Sequence, residues 1–274
     1  MIDYIYIPTL GRHDKQITYD SFPDEWKEKT ILVVQKHEEE IYKDRWGVDK
    51  VFALPENITT IAPTREYIVK ILGGKSYFCM FDDDLKFYKT RMSGEPEGPG
   101  KTLMTDEDFT EMFTQMFTWL QKDVIHCALD LTWNPPDRDN QYKNNTRICG
   151  NVFYNGFKLP TGIEWSRIPI QEDMDVNLQL LKKGYANRVS NVWRIDPGQT
   201  QTEGGCKQSG RTLELHNMTQ HRLQQLHKPY VKVVSKMAKN SGEWSGEKKL
   251  ALRVDWKGAF KSSQVNTLDG FFNE

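Results

Sequence analysis

The first third of the chain alternates short apolar runs with stretches whose apolar residues recur at helical spacing. Ile2-Asp3-Tyr4-Ile5-Tyr6-Ile7 reads as a strand, closed by Pro8-Thr9-Leu10-Gly11-Arg12, a turn with a permissive glycine and a guanidinium. Thr30 to Gln35 and Lys50 to Pro55 predict two more strands, with a solvated helix over Glu38 to Arg45 between them. Ala62 to Leu72 then reads as a helix that stops at Gly73-Gly74, with Arg65 in its first turn. A cation there opposes the macrodipole, so a nearby anion is expected. Strand and helix alternating in this way predict a parallel sheet.

The next apolar run, Ser76 to Phe81, ends in Asp82-Asp83-Asp84 before Leu85 and Phe87 resume the pattern. Open α/β sheets bind ligands beyond the carboxyl ends of their strands. Hard divalent cations take carboxylate oxygens there while keeping waters or substrate phosphates in their other positions. The triplet therefore predicts a cation and a phosphorylated substrate. The plainer reading, an acidic loop or helix start, is weakened by the β-rich flanks.

Further on, Arg91 to Lys101 holds two prolines and three glycines and predicts a surface loop. Thr105 is a candidate cap for an amphipathic helix through Met112, Phe113, Met116, Phe117 and Leu120. Val124 to Leu131 and Arg147 to Tyr154 predict strands, and Trp133 stands at the base of the polar loop after the first of them. Glu172, Asp173 and Asp175 crowd the start of a helix whose apolar face is Val176, Leu180 and Leu181 and which ends at Gly184. Capping and dipole complementarity account for such acids as readily as catalysis does. The strand Tyr185 to Ile195 leads into a loop through Gly204, Gly205 and Arg211 that is suited to bend over a ligand as a lid. His216, His221 and His227 are five and six residues apart, so they do not share a helix face. From Lys228 to Lys261, nine Lys or Arg face only Glu243, Glu247 and Asp255.

With 274 residues the chain suffices for one large α/β domain, and its net charge of -1 names no partner by itself. Cys79, Cys127, Cys149 and Cys206 form no C-x-x-C pair, which favours a reduced, cytoplasmic protein. No segment has the length of a membrane span, and the first residues lack the features of a secretory signal. Eight tryptophans and eleven tyrosines exceed what such a core needs, and flat rings suit sugar and nucleobase sites.

The first-strand loop with Arg12, the anion-seeking Arg65, the aspartate triplet and the second acidic helix start together resemble the nucleotide-sugar transferases of the GT-A fold, over roughly Ile2 to Arg211. The ordered set Ile7-Pro8-Thr9-x-Gly11-Arg12, Asp82-Asp83-Asp84, Glu172-Asp173-Met174-Asp175-Val176 and Gly204-Gly205-Cys206 followed by Arg211-Thr212 is similar, more narrowly, to bacteriophage TET-associated glycosyltransferases, which decorate 5-hydroxymethylcytosine in phage DNA. The resemblance implies a Rossmann-like, mostly parallel α/β sheet flanked by helices. It implies a catalytic domain over residues 1–212 and a helical, basic C-terminal extension over 213–274 packed on the same domain.

The resemblance also implies a UDP-sugar donor, UDP-glucose, and Mn²⁺ or Mg²⁺ held by Asp82, Asp84 and His216. Donor contacts would come from Pro8, Thr9, Gly11, Arg12, Arg65, Asp82, Asp83 and Arg211. Asp173 or Glu172 would be the catalytic carboxylate, with acceptor contacts from Trp133, Gly204 and Gly205. A DNA acceptor would use the basic tail for its phosphates and aromatic rings for an extruded base, in a host cytoplasm and away from any membrane. Rival readings share parts of the pattern: a GT-A enzyme of surface polysaccharide synthesis, a metal-dependent nucleotidyltransferase or phosphohydrolase, and a non-catalytic DNA-binding module.

Overall fold

The computed structural model describes residues 1–197, 205–208, 210–238 and 244–271. The strands are β1 (Tyr4–Pro8), β2 (Thr30–Val34), β3 (Val51–Ala53), β4 (Tyr77–Phe81), β5 (Leu85–Thr90), β6 (Lys101–Leu103), β7 (His126–Leu131), β8 (Tyr142–Asn144), β9 (Asn151–Asn155), β10 (Asn187–Pro197), β11 (Val231–Met237) and β12 (Lys248–Val254). The helices are α1 (Ile17–Asp20), α2 (Asp24–Lys27), α3 (Glu39–Trp46), α4 (Ile61–Tyr67), α5 (Asp106–Lys122), α6 (Glu172–Lys182), α7 (Gly205–Gln208), α8 (Leu213–Leu226) and α9 (Trp256–Phe271).

Ten strands make one sheet in the order β3-β2-β1-β4-β9-β7-β10-β5-β6, with β8 also on β10. The pairings orient seven of them one way (β1 to β4, β6, β7 and β10) and β5, β8 and β9 the other. This is a mixed α/β architecture with a large, mostly parallel central sheet. Because β1 has β2 on one side and β4 on the other, the loops leaving β1 and β4 lie side by side, where such sheets hold ligands.

Strand alternation divides the core. Ile5, Ile7, Leu32, Cys79 and Phe81 face Met112, Phe113 and Met116 of α5, whereas Tyr6, Val33, Phe78 and Met80 face Ile68 and Val69 beyond α4 and Val176 and Leu180 of α6. Buried on both faces, these strands read as continuous apolar runs, which made them legible. Helix α5 begins as predicted, with Thr105 and Asp108 in a reciprocal capping box.

The aspartate triplet shapes the sheet. Strands β4 and β5 stand four ladder steps apart, about 19 Å in a flat sheet. Only Asp82-Asp83-Asp84 joins Phe81 to Leu85, a link that reaches about 14 Å at most. The ladder must therefore curl back on itself. It does so through a register shift in β10 between Ser190 and Arg194, and Gly150, Asp82, Leu85 and Ile195 come together where it closes. Gly150 is at φ +71°, a conformation side-chain-bearing residues rarely adopt, and a Cβ there would lie in van der Waals contact, 3.4 Å from Asp82 Oδ2.

The strand predicted over Arg147 to Tyr154 begins only at Asn151. The Asn151 side chain inserts between the strands instead, accepting from Leu129 N at 2.7 Å and donating to Leu129 O at 3.1 Å. The C-terminal extension, expected to be helical, includes the β11–β12 hairpin, whose apolar side packs with Leu223 and Ala259 against Ile168 and Leu178. A buried ion cluster fixes it to α6: Asp175 receives both Nε and Nη2 of Arg167 at 2.7 Å, His227 Nε2 at 2.6 Å and Gln179 Nε2 at 2.9 Å. Burial disfavours the charged form of the His227 ring and pushes its pKa down, although Asp175 pulls the other way.

Asp175→Ala removes the shared partner of the half-buried Arg167 guanidinium and the buried His227 imidazole and is expected to cost about 3 kcal/mol. Glu66→Ala, which breaks the exposed pair with Lys70, should cost under about 1 kcal/mol. Urea unfolding midpoints of the two variants check the contrast.

Candidate functional site

Asp82 extends β4 by one residue, its N–H donating to Gly150 O at 2.9 Å, so the strand alternation carries into the turn. Asp82 accordingly points to the α4/α6 side and Asp83 to the other. Asp82 Oδ1 pairs with Arg65 Nη2, and Arg65 Nη1 donates to Glu172 Oε1 at 2.6 Å. On the opposite side, Arg12 Nη1 pairs with Asp83 Oδ1 and lies 3.0 Å from Asp84 Oδ2. Two arginines thus sit against the turn from either side, each bridging two carboxylates.

The turn is pinned from below by α1. Thr18 N donates to Asp83 O at 3.2 Å, Thr18 Oγ1 donates to Asp82 O at 2.5 Å, and Leu85 N donates to Thr18 Oγ1 at 2.9 Å. Thr9, next to Pro8 at the end of β1, donates to Asp83 Oδ2 at 2.6 Å and receives Gln16 Nε2 at 2.8 Å. The β1 loop is held as well, with Gly11 N donating to Glu38 Oε1 at 2.9 Å and Arg12 N to Tyr42 OH at 3.2 Å. Thr18, Gln16, Glu38 and Tyr42 gave no signal in the sequence, because each looks ordinary in its own element and reaches the site only through the fold.

Burial sets the electrostatics. It raises Asp83 to about 6 against the pull of Arg12 and Thr9, and raises Glu172 to about 7 against the pull of Arg65. Asp82 is also pushed up by burial, with Asp84 and Asp173 adding to it and Arg65 opposing. Behind Glu172 and Asp173 a narrow pocket runs between α6 and the sheet, walled by Tyr154 and Trp165 and ending at His126. Burial keeps that imidazole neutral, with its pKa lowered to about 4.

The acids that start α6 are not ordinary caps. Glu172 goes to Arg65 and Asp175 to Arg167 and His227, and Asp173 reaches a helix N–H, Met174 N at 2.8 Å. Arg65 itself lies in the last turn of α4, past the expected first turn, and finds its anions across the sheet end. Gln171, just before Glu172, adopts φ +61°, rare for a residue with a Cβ. Its side chain is gripped by α8, with Gln220 Nε2 donating to Gln171 Oε1 at 2.9 Å and Gln171 Nε2 3.5 Å from His216 Nδ1.

His216 lies in this contact with α6 and against the edge of β12, where its Nε2 is 3.0 Å from Leu250 O. Its ring is buried, which lowers its pKa to about 4. Among the described residues no group of three or more His, Cys, Asp or Glu side chains converges as a metal cage. Arg211 lies 5.5 Å from the Trp244 ring centroid. Trp133 is 57% exposed at the carboxyl end of β7, on the sheet edge that also carries the aspartate turn. Gly205 N donates to Leu10 O at 2.8 Å, and Gln208 lies so close over Gly11 that a Cβ there would collide with it, so α7 covers the β1 loop. Gly204, with residues 198–203 and 209 of the predicted lid, falls outside the described residues.

A family model described as TET-Associated Glycosyltransferase matches residues 4–205. The Beta-glucosyl-HMC-alpha-glucosyl-transferase of Enterobacteria phage T6 is 27% identical over 223 residues, which are 79% of this chain and 78% of that protein. The enzyme of the same name from Enterobacteria phage T2 matches to the same extent. Among solved structures, mannose-6-phosphate isomerase from Helicobacter pylori aligns over 95% of this chain and 89% of its own with 10% identity, and its TM-score of 0.32 carries no argument.

The raised Glu172 pKa has a consequence for stability. Above about pH 4.3 an unfolded chain has released this proton while the fold retains it to about 7, so the group's contribution is greatest at low pH and is lost as pH rises through 7. Relative to Glu172→Gln, the wild type should lose on the order of 3 kcal/mol between about pH 5 and pH 8. Urea titrations of both proteins across that range read it, and a flat difference would mean that Glu172 is ionised throughout.

Proposed function

We propose, on the premise that the chain belongs to the TET-associated glycosyltransferase family, that this glycosyltransferase moves a hexosyl group from UDP-glucose to a hydroxyl of 5-hydroxymethylcytosine DNA. The observation that carries the reading is the turn Asp82-Asp83-Asp84, set between the guanidinium groups of Arg12 and Arg65 at the carboxyl ends of β1 and β4. The curled, mostly parallel sheet suits the GT-A fold, with residues 1–212 as the catalytic domain and 213–274 as its extension.

The donor set fits a hard divalent cation. Asp82 and Asp84 offer carboxylate oxygens on one turn, and Mg²⁺ or Mn²⁺ commonly takes one or two carboxylates and fills its remaining positions with phosphate oxygens and water. When bound, the cation would neutralise charge on the departing diphosphate. His216 would join it only by releasing Gln171.

The chain's own groups do the rest. Arg12 and Arg65 are fixed cations aimed at the mouth of the site, and such pre-set charge stabilises a leaving diphosphate without waiting for solvent to reorganise. Asp83, buried under Thr9 and Arg12, holds Arg12 in place. Asp173 lies beside Glu172 at the opening of the pocket, where a carboxylate can orient or deprotonate an acceptor hydroxyl. Pro8, Thr9 and Gly11 shape the donor side, with Gly205 over Leu10 and Arg211 three residues after α7. Trp133 offers a flat face to the acceptor.

A second reading has a specific motive. The relatives' names describe alpha-glucosyl transfer to beta-glucosyl-HMC, and in this reading the acceptor hydroxyl belongs to a sugar already on the base. Incubating ordinary, hydroxymethylated and β-glucosylated hydroxymethyl DNA with a panel of UDP-sugars, followed by mass spectrometry of the nucleosides, decides between the two. A hexose gain on neither modified DNA would refute the DNA acceptor altogether. Asp84→Asn should lower turnover about 10²-fold or more with an unchanged unfolding midpoint. A chelator should stop wild-type transfer, and added Mn²⁺ or Mg²⁺ should restore it.

A further inference from the structure

The β11–β12 hairpin has one apolar side and one cationic side, and the ladder register decides which is which. Val231, Val233, Leu252 and Val254 share a face, and three of these four pack with Leu223 and Ala259 in the C-terminal core. On the opposite face Lys232 stands directly across from Arg253, and Lys236 directly across from Lys249, with Val234 and Ala251 between the two pairs. Lys232, Lys236 and Arg253 are exposed.

Like charges directly opposite in a ladder destabilise it, and a surface shaped only for solubility mixes signs. This face carries two such pairs and no carboxylate at any of its six ladder positions. The concentration of charge is local. Between Lys228 and Lys261 the sequence holds nine cations against three acids, while the remaining residues hold 28 against 35.

We infer that the outer face of this hairpin is a docking surface for the phosphodiester backbone of duplex DNA, an inference that rests on the DNA acceptor proposed above. Paired cations lie about 5 Å apart across the strands, and the two pairs about 13 Å apart along them. The longer spacing is close to the ~12 Å width of the major groove, so the pairs reach phosphates on its two sides. The surface also adjoins the chemistry. Asn217 Oδ1 and His216 hold the edge of β12 at Leu250, and His216 meets Gln171, the residue before Glu172. Backbone contacts of this kind position DNA without reading its sequence.

The test compares two triple variants of equal charge change: Lys232→Gln/Lys236→Gln/Arg253→Gln on the hairpin, and Lys70→Gln/Lys122→Gln/Lys158→Gln at exposed positions outside it. Binding of a fluorescent hydroxymethylated duplex is followed by anisotropy between about 50 and 200 mM salt. The hairpin variant should lose two to three units of the slope of log affinity against log salt, at about 0.9 per phosphate contact, and the control variant should keep the wild-type slope. Unchanged UDP release from UDP-glucose without DNA confirms that the catalytic core is intact. Equal slopes for the two variants overturn the surface and leave the DNA acceptor standing. A wild type without salt-sensitive DNA binding overturns both.

Discussion

The candidate site depends on Arg65. Its guanidinium joins the aspartate turn to the start of α6, binding Asp82 with one nitrogen and Glu172 with another across the open end of the sheet. Without it, two carboxylates desolvated by burial would face each other and Asp173. Buried ion pairs contribute little net stability, yet losing one partner is severe, because the other charge is left without water. A planar donor that serves two acids at once therefore fixes geometry more than it adds stability.

The shortness of the aspartate turn explains why the sheet is curled. A triplet of acids could hang from a flat sheet as a loop. Here it is the whole connection between strands four steps apart, so the chain cannot close without drawing β5 and the end of β10 over β4 and packing them around Gly150. The curl shields the turn from solvent, and the same burial raises Asp83 and Glu172 toward neutral pH. Fold and electrostatics have one cause.

The C-terminal extension acts on the same helix from the other side. Asp175 is tied to His227 and Arg167, and Gln171 is held at positive φ by Gln220, so the first turn of α6 is set by contacts that arrive some fifty residues later in the chain. Strained backbone persists where its surroundings over-determine it, and such places cluster at sites that need exact placement. The surface of the extension then carries the cationic hairpin. One element thus stiffens the site and faces outward beside it.

By itself the sequence determined the order of β1 to β4, α3 to α5 and β7, the cap of α5 and the place of the acids, and it left α1, α2, β5 and β6 unread. Runs buried on both faces and helices with one apolar stripe leave periodicities that survive without knowledge of the partners. The order of family motifs was equally visible. Only the tertiary structure decided which charges meet. Arg12 and Arg65 read as cations awaiting a donor anion, Glu172 and Asp175 as helix-start acids and His216 as a metal ligand by resemblance, until packing set Arg65 between two acids, Asp175 against His227 and His216 against Gln171. Pairings of this kind join residues between 17 and 107 positions apart. No local pattern encodes them, because their energy arises from desolvation that exists only once the chain has closed around them.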